Sequence, residues 1–335
     1  MNLNQRIELM LRLGEHLRTK DEYLEAIMHR TAFNNQWFTI ENQKQAIDAI
    51  ATFFLDRSQL KAWLKTYSIS DSNSPKKVGL VLAGNIPMVG FHDLLSVFLA
   101  GHHAIIKLSD KDQFVLPYII KLLGEWESEA KHYFRFVPQL KDFDAVIATG
   151  SNNSSRYFEA YFGKYPHIIR RNRNAIAILT GEESREELHR LGEDIFQYFG
   201  LGCRNVSKLY VPKGYDFEPL MEELHRYNSI ILNSKYKNNF DYNYSLYILN
   251  KVPIINNGCI ILAENESLQS RIASLHYEFY DSTVALEKEL EHRKDEIQCI
   301  VAKNQEGAFS FGQAQQPQLW DYADGVDTMQ FLLSI

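Results

Sequence analysis

Residues 78–109 read VGLVLAGNIPMVGFHDLLSVFLAGHHAIIKLS, and this stretch decides the class of fold. A short apolar run is followed by a Gly- and Pro-containing turn, a long apolar run that ends at Gly101, and a second short apolar run. Short apolar runs that alternate with longer helical patterns are typical of parallel strands joined by crossover helices. The stretch therefore predicts a strand, a buried helix closed by Gly101, and a second strand.

The same alternation continues toward the C-terminus. A helix is expected through 114–126, with Pro117 near its first turn, because proline lacks the N–H that a later turn needs. A helix that begins after Ser184, which has capping-box spacing to Glu187, is expected to end at Gly200. Further strands are predicted at 133–138, 144–151, 174–181, 207–212, 259–263, 272–277 and 297–302. The chain is therefore predicted to be α/β, with two α/β domains and sheets rich in parallel strands.

Four segments are predicted along the chain. Residues 1–70 have amphipathic helical periodicity, and the polar stretch SISDSNSPKK at 68–77 marks their boundary. Residues 71–180 resemble a dinucleotide-binding domain, and residues 181–305 are predicted to form a catalytic domain that contains Cys203. Residues 306–335 are aromatic and rich in turns, so we expect a segment that wraps a surface.

The composition of the chain argues against several classes of function. The chain of 335 residues has a formal charge of −6 without charged blocks, so nucleic acid is not expected as a partner. No signal peptide and no apolar run of membrane-spanning length is readable. The three cysteines are far apart, so neither a disulfide framework nor a metal site is predicted, and the histidines lack metal-ligand spacing. We therefore expect a cytoplasmic protein that binds no metal.

Cys203 is the candidate nucleophile. It lies in FGLGCRNVSKLYVP, after two glycines that permit a sharp turn, and Arg204 and Lys208 are placed to lower the pKa of its thiol. Most unpaired cysteines are small buried side chains, and Cys259 and Cys299, which lie inside apolar runs, are predicted to be core residues.

Three strand ends are candidate cofactor loops. The loop KLSD contains Lys107, Ser109 and Asp110, the loop ATGS contains Gly150 and Ser151, and the loop LAGNIP contains Asn85. Lysine can hold a ribose or phosphate, and the start of a helix favours anions. Neither G-x-G-x-x-G nor the P-loop pattern is present, and each loop taken alone is also compatible with an ordinary turn.

The order of these motifs, from about Val78 to the C-terminus, resembles the aldehyde dehydrogenase superfamily. The segments LAGNIP, FGLGCRNVSKLYVP and FGQAQQPQLWDYADGVDT are most similar to the acyl-CoA reductases typified by the reductase of the bacterial luminescence fatty-acid reductase complex. The resemblance implies an aldehyde dehydrogenase-like fold, with Cys203 as the nucleophile and Lys208 at a basic position of the family. It places Asn85 as an oxyanion donor, with the backbone N–H of the cysteine as the other donor.

For the cofactor, the resemblance assigns Lys107 to the adenosine ribose and Gly150 with Ser151 to the pyrophosphate, and Ser109 belongs to the same lysine loop. Asp110 stands where an acidic residue binds the ribose in NAD-preferring relatives, whereas acyl-CoA reductases generally use NADPH. NADPH is therefore expected, with NADH as the alternative. A homo-oligomer and an acyl-protein synthetase or transferase partner are further implications of the resemblance.

One departure from the superfamily bears on the reaction. Arg170 stands near the position of the glutamate that activates water in hydrolytic relatives, and an arginine cannot act as a base at ordinary pH. This favours reduction of an acyl-CoA thioester to aldehyde. Two alternatives stay open: an aldehyde dehydrogenase that produces free acid, and a non-catalytic scaffold for a synthetase or transferase. A second glutamate of the superfamily motif E-x-F-G-P is not placed, although Glu266 and Glu278 lie near its region.

Overall fold

The computed structural model describes residues 1–70 and 74–335. The chain forms two compact units. Unit 1 contains Met1–Asn172 and Pro317–Ile335, and unit 2 contains Arg173–Gln316. The boundary stretch 68–77 of the sequence falls partly outside the described residues. The functions that we assigned to the four sequence segments stay predictions.

The N-terminal part of unit 1 is helical, as expected. Its helices are α1 (Leu3–Leu17), α2 (Glu22–Asn34), α3 (Ile40–Ala49) and α4 (Arg57–Leu64), and α3 continues into a π-helical turn. Each helix begins after a residue whose side chain accepts a backbone N–H of the first turn: Asn2, Asp21, Thr39 and Asp56. Such caps satisfy N–H groups that have no partner within the helix, so local sequence sets these starts.

The sheet of unit 1 is built from five parallel strands. Along the chain the elements are β1 (Lys77–Val81), α5 (Phe91–Ala100), β2 (His103–Lys107), α6 (Val115–Trp126), β3 (Phe134–Phe136), β4 (Ala145–Thr149), α7 (Asn152–Phe162) and β5 (His167–Arg170). The strand order is β3-β2-β1-β4-β5. The predicted strand–helix–strand unit at 78–109 is confirmed, and Gly101 ends α5 with a left-handed φ of 87°. Pro117 lies in the first turn of α6, as expected.

Unit 2 contains a six-stranded sheet. Its elements are β6 (Asn174–Ile178), α8 (Arg185–Phe196), β7 (Val206–Pro212), α9 (Glu218–His225), α10 (Ser234–Leu249), β8 (Ile254–Asn256), β9 (Ile261–Glu264), β10 (Ser274–Tyr280), α11 (Thr283–His292) and β11 (Ile297–Ala302). The order is β11-β6-β7-β10-β9-β8, and β8 pairs antiparallel with β9 while the other pairs are parallel. The four strands predicted after Cys203 are confirmed.

Two local expectations in unit 2 were incomplete. The helix predicted to end at Gly200 ends at Phe196, because Tyr198 and Phe199 adopt left-handed backbone angles. Helices α9, α10 and α11 and strand β8 were not predicted individually. The apolar residues of α10 do not share one face, and only Tyr236 and Asn243 of that helix are buried. The Ser184–Glu187 capping box at the start of α8 is confirmed.

The C-terminal residues return to unit 1 and complete its core. Helix α12 (Thr328–Leu333) contributes Met329 and Leu332 to the main hydrophobic cluster, together with Leu319. The ring of His102 bonds to the carbonyl of Leu332 at 2.9 Å, and the ring of His92 bonds to the carbonyl of Leu319 at 2.9 Å. Two histidine side chains therefore hold this segment through backbone carbonyls 227 and 230 residues away in the sequence.

Candidate functional site

Cys203 lies at the second position of a four-residue turn. The backbone N–H of Asn205 donates to the carbonyl of Gly202 at 3.1 Å, and the side-chain oxygen of Asn205 accepts from the N–H of Gly202 at 2.8 Å. The side-chain amide of Asn205 also donates to the carbonyls of Gln197 and Asp194, at 2.8 and 3.1 Å. Asn205 therefore closes the turn and ties it to the end of α8.

The segment before this turn has an unusual backbone. Tyr198, Phe199 and Gly200 have successive φ values of 53°, 59° and 73°. Left-handed angles cost non-glycine residues about 1–2 kcal/mol each. Both aromatic side chains are buried, and the ring of Phe199 lies 6.1 Å from the ring of Tyr236, so packing stabilises the conformation. Backbone strain of this kind is concentrated at functional sites, which supports Cys203 as a site residue.

The other two cysteines are core residues, as predicted. Cys259 and Cys299 are buried, whereas Cys203 is half-buried. Burial raises the pKa of the Cys259 thiol to about 12, because a thiolate is poorly solvated among apolar groups. Its sulfur lies 3.3 Å from the side-chain oxygen of Asn257. Among the three thiols, Cys203 is therefore the one that is accessible to a substrate.

The two cations near Cys203 in sequence have different environments. The guanidinium of Arg204 lies 4.9 Å from the ring centre of Phe309 and donates to the carbonyl of Ala314 at 3.3 Å. Lys208 is fully buried on β7, and its ammonium donates to Glu278 at 2.8 Å and to the carbonyl of Asn265. Burial lowers the pKa of Lys208, and the Glu278 carboxylate opposes that shift.

The expectation that Lys208 lowers the pKa of the thiol is therefore not supported, because its charge is paired with Glu278. Arg204 remains the candidate for that effect. Glu278, which the sequence did not place in a motif, lies on β10 beside β7 and is the partly exposed partner of the buried Lys208 ammonium. Glu266 is exposed in the loop after β9, and its carbonyl accepts from Arg293 at 3.0 Å.

In unit 1, the loop that carries Asn85 follows β1 and contacts the loop after β2. A Cβ atom on Gly84 would lie 2.7 Å from the Cβ of Ser109, so only glycine fits between the two loops. The N–H of Met88, which has a φ of 57°, donates to the carboxylate of Asp112 at 2.9 Å. Asn85 itself is half-buried. The position of its loop therefore depends on a close backbone approach and on a buried carboxylate.

The lysine loop begins at the last residue of β2. Lys107 is half-buried and pairs with Val81 at the end of β1. Asp110 is exposed, and its carbonyl accepts from the side chain of Gln113 at 2.7 Å. The hydroxyl of Ser109 accepts from the N–H of Lys111 at 3.3 Å. A cation and a carboxylate thus lie within four residues at the carboxyl end of one strand.

The third loop leads from β4 into α7. The hydroxyl of Ser151 caps the helix by accepting the N–H of Ser154 at 3.3 Å. A Cβ atom on Gly150 would lie 2.8 Å from the ring of Phe158, so this position also requires glycine. Ser151 is exposed, so the positive end of the helix dipole is open to an anion.

These loops leave one edge of a parallel sheet. The order β3-β2-β1-β4-β5 reverses direction between β1 and β4, and ligands of open α/β sheets bind at such a switch point beyond the carboxyl ends of the strands. The structure therefore brings together the predicted residues of unit 1: Asn85, Lys107, Ser109, Asp110, Gly150 and Ser151. The exposed start of α7 is compatible with an anionic group such as the pyrophosphate of a dinucleotide.

Arg170, at the end of β5, forms a buried ion pair. Its guanidinium donates to both carboxylate oxygens of Asp93, at 2.5 and 2.7 Å, and to the hydroxyl of Thr328 at 2.9 Å. The side chains of Arg170 and Asp93 are 7% and 5% exposed. Arg170 therefore joins β5, α5 and α12, which is a structural role, and it is unsuited to act as a base.

Sequence reasoning missed two buried carboxylates: Asp112, beside the loop of Asn85, and Asp194, beside the Cys203 turn. Burial raises the pKa of Asp112 to about 6, although the N–H of Met88 opposes the shift. Burial raises the pKa of Asp194 to about 7, although the N–H groups of Gly312 and Ala314 oppose it. A signal for Asp194 was present, since it lies three residues after Leu191 on the apolar face of α8.

Membrane and metal features are absent from the part of the chain that the structure describes. Among residues 1–70 and 74–335, no helix has both the length and the apolar character needed to cross a bilayer. In the same residues, no group of three or more His, Cys, Asp or Glu side chains is arranged to hold a metal ion.

Comparisons with known proteins bear on the fold. No protein-family model matches the chain, and no curated protein matches it. Similar structures include the NAD+ complex of an aldehyde dehydrogenase from Bacillus cereus, with a TM-score of 0.62 and 15% identity over 91% of this chain and 72% of that chain. P. syringae indole-3-acetaldehyde dehydrogenase, in complex with NAD+ and IAA, has a TM-score of 0.66 and 14% identity over 94% of this chain and 75% of that chain.

A third similar structure is betaine aldehyde dehydrogenase from Staphylococcus aureus in complex with NAD+. Its TM-score is 0.66 and its identity is 13%, over 94% of this chain and 72% of that chain. The chain therefore has an aldehyde dehydrogenase-like fold, as the sequence motifs predicted. At these identities the similarity establishes the fold, and the reaction must be argued from the residues of the site.

Proposed function

We propose that the protein reduces a fatty acyl-CoA thioester to an aldehyde with NAD(P)H, through a thioester formed on Cys203. The observation that carries this proposal is the ion pair of Arg170 with Asp93. The sequence motifs place Arg170 near the position of a water-activating glutamate, and a guanidinium held by a buried carboxylate cannot take a proton from water. An acyl group on Cys203 would therefore be protected from hydrolysis to free acid.

Cys203 acts first as the nucleophile. Its thiolate attacks the carbonyl carbon of the thioester, the bond to the sulfur of coenzyme A breaks, and coenzyme A leaves and takes up a proton. The oxyanion is proposed to accept hydrogen bonds from the N–H of Cys203 and from the side chain of Asn85. Hydride and a proton then convert the acyl group to aldehyde, and the thiol of Cys203 is restored.

A nicotinamide cofactor, when bound, supplies the hydride for this reaction. The residues proposed to hold it are Lys107 and Ser109 after β2, and Gly150 with Ser151 at the start of α7. The exposed carboxylate of Asp110 would repel a 2′-phosphate and accept hydrogen bonds from ribose hydroxyls. NADPH is proposed as the cofactor because of the acyl-CoA reductase motifs, and NADH, which Asp110 favours, is the alternative. The Asp110→Ser variant should raise the NADPH-to-NADH ratio of kcat/KM.

The direct test follows the consumption of NADPH and NADH with acyl-CoAs of increasing chain length. Acyl-CoA-dependent oxidation of the cofactor is expected, and Cys203→Ala should abolish it, whereas the matched control Cys299→Ala should retain it. Full turnover by Cys203→Ala would refute the covalent mechanism. Asn85→Ala should lower kcat at least about 100-fold if Asn85 is an oxyanion donor, and the exposed control Asn250→Ala should not.

The same assay run with aldehyde and NAD(P)+ separates the alternatives. Cofactor reduction that requires coenzyme A supports the proposed reaction in reverse, and reduction without coenzyme A, with free acid as product, supports an aldehyde dehydrogenase. Failure of a radiolabelled acyl-CoA to acylate Cys203, together with stable binding of a synthetase or transferase, would support the scaffold alternative.

A cytoplasmic location, a homo-oligomer and a synthetase or transferase partner also remain proposals. They follow from the sequence motifs and the composition. Sedimentation of the purified chain, alone and with an acyl-protein synthetase, tests the last two. A single monomeric species in both experiments would refute them.

A further inference from the structure

Two contacts hold the turn that carries Cys203. Asn205 ties it to the end of α8, and Arg204 ties it to the segment 309–314. This segment is itself fixed at two points within unit 2. At its start, Phe309 pairs with β11 through the N–H of Phe309 to the carbonyl of Ile300 at 2.8 Å and the N–H of Ala302 to the carbonyl of Phe309 at 3.0 Å. Near its end, the N–H groups of Gly312 and Ala314 donate to the two carboxylate oxygens of Asp194, at 2.7 and 2.9 Å.

Arg204 connects this segment to the nucleophile turn. Its guanidinium lies over the ring of Phe309 and donates to the carbonyl of Ala314, so it uses both fixed points of the segment. The backbone carbonyl of Asp194 meanwhile accepts from Asn205, which closes the turn on the other side. A continuous set of contacts therefore runs from Asp194 through segment 309–314 and Arg204 to the turn, and returns through Asn205 to Asp194.

We propose that Asp194 is a positioning residue for Cys203: its carboxylate fixes segment 312–314, and that segment holds the Arg204 guanidinium beside the thiol. The inference rests on the proposed function of Cys203 as nucleophile. Arg204 directly follows Cys203 in the chain, and a cation held near a cysteine stabilises the thiolate, so the proposed arrangement would increase the reactivity of Cys203. Asp194 acts through Arg204 and contacts no substrate.

The donors around Asp194 explain why a carboxyl side chain is buried there, and at the pH of 8 used in the test below it is mostly ionised because its pKa is about 7. Asp194 is fully buried, and a carboxylate in that position is costly unless it accepts hydrogen bonds. Gly312 and Ala314 both present N–H donors, and a carboxylate supplies one acceptor to each. An asparagine would supply one acceptor and would place its own NH2 group against the other donor. The backbone at Gly312 also packs closely against α8: a Cβ atom added there would lie 3.1 Å from the Cβ of Arg190. The segment therefore has no space to shift toward α8.

The test measures the alkylation rate of Cys203 by iodoacetamide in the full chain at pH 8, with the modified peptide identified by mass spectrometry. Asp194→Asn should slow alkylation about threefold to tenfold, because a rise of one unit in the thiol pKa lowers the thiolate fraction up to tenfold. Arg204→Met should slow it by a similar factor. The double variant should be no slower than either single variant, because both act through the same contact.

Leu262→Ala is the control for a general loss of stability, since Leu262 is fully buried on β9, which three strands of the sheet separate from β11. It should lower the melting temperature and leave the alkylation rate unchanged. If Asp194→Asn does not fold, Phe309→Leu removes the ring under Arg204 at a half-buried position and should slow alkylation by itself. Unchanged alkylation in Asp194→Asn or in Phe309→Leu, or additive effects in the double variant, would overturn the inference.

The alkylation assay requires neither acyl-CoA nor cofactor, so its result is independent of the proposed reaction. Slowed alkylation in a protein that does not turn over acyl-CoA would reject the reductase function and retain the positioning role. Normal alkylation of Asp194→Asn in a protein that reduces acyl-CoA would reject the positioning role and retain the reductase function. Where turnover is observed, Asp194→Asn should lower kcat and leave the KM for acyl-CoA unchanged, because the variant alters the thiol and not the substrate contacts.

Discussion

The buried ion pair between Arg170 and Asp93 yields the strongest stability prediction. In Asp93→Asn, the guanidinium of Arg170 would stay buried among α5, β5 and α12 without a carboxylate partner. Removing one member of a buried pair typically costs about 3–5 kcal/mol, because the other charge is left uncompensated. Both side chains are less than 10% exposed and form two hydrogen bonds, so a value within this range is expected.

The effect can be measured as a thermal shift. Unit 1 has the size for which 1 kcal/mol shifts the melting temperature by about 2–4 °C, so a loss of roughly 6–20 °C is expected. Thr328→Val removes a single hydrogen bond to Arg170 and should cost only about 1 kcal/mol. Thr328→Val is the matched control, because it removes a hydrogen bond from the same guanidinium without removing its charged partner.

A double replacement tests the cause of the loss. Asp93→Leu combined with Arg170→Met removes both charges, and such replacements are often neutral or stabilising. The double variant should therefore be clearly more stable than Asp93→Asn. A loss of less than about 1 kcal/mol in Asp93→Asn would refute the view that Asp93 compensates the charge of Arg170, and with it the structural role that we assign to this arginine.

Three further predictions concern other parts of the chain. Gly84→Ala should destabilise unit 1 and weaken cofactor binding, because the added methyl group would meet Ser109. Calorimetry measures both effects, and the double variant Gly84→Ala with Ser109→Gly should recover much of the loss. Burial raises the pKa of Asp112 from 3.8 to about 6, so the folded chain binds this proton more tightly than the unfolded chain does. The resulting contribution to stability falls by roughly 2 kcal/mol as pH rises from 4 to 6. Asp112→Asn should remove that slope in urea titrations, and an unchanged slope would exclude Asp112 as its source. Ser184→Ala should lower the free energy of unfolding by about 1 kcal/mol through loss of the α8 cap, and no change in the urea midpoint would contradict this.

Local patterns in the sequence were sufficient for most of the fold. The apolar run before Gly101 predicted α5 and its end, and the Ser184–Glu187 spacing predicted the start of α8. Both features depend on residues within one or two turns of each other, where the identity of a cap or of a glycine decides the backbone angle. The alternation of strands and helices was equally local, and the aldehyde dehydrogenase-like fold followed from it and from the order of the motifs.

The end of α8 and the existence of α10 were not predictable in this way. Tyr198 and Phe199 have no intrinsic preference for left-handed angles and adopt them because their side chains are buried in unit 2. Helix α10 has apolar residues on several faces, so its sequence carries no clear period of 3.6 residues. In both cases tertiary packing overrides the local preference of the backbone.

Sequence by itself determined the α/β class and the strand ends that carry the candidate loops, and it predicted Cys203, ahead of Cys259 and Cys299, as the candidate nucleophile. Only the tertiary structure decided the electrostatic partners: Asp93 for Arg170, 77 residues away, and Glu278 for Lys208, 70 residues away. Secondary structure depends on neighbours along the chain, whereas the partner of a buried charge depends on which distant strand or helix packs against it. No periodic pattern in the sequence indicates which distant element that is.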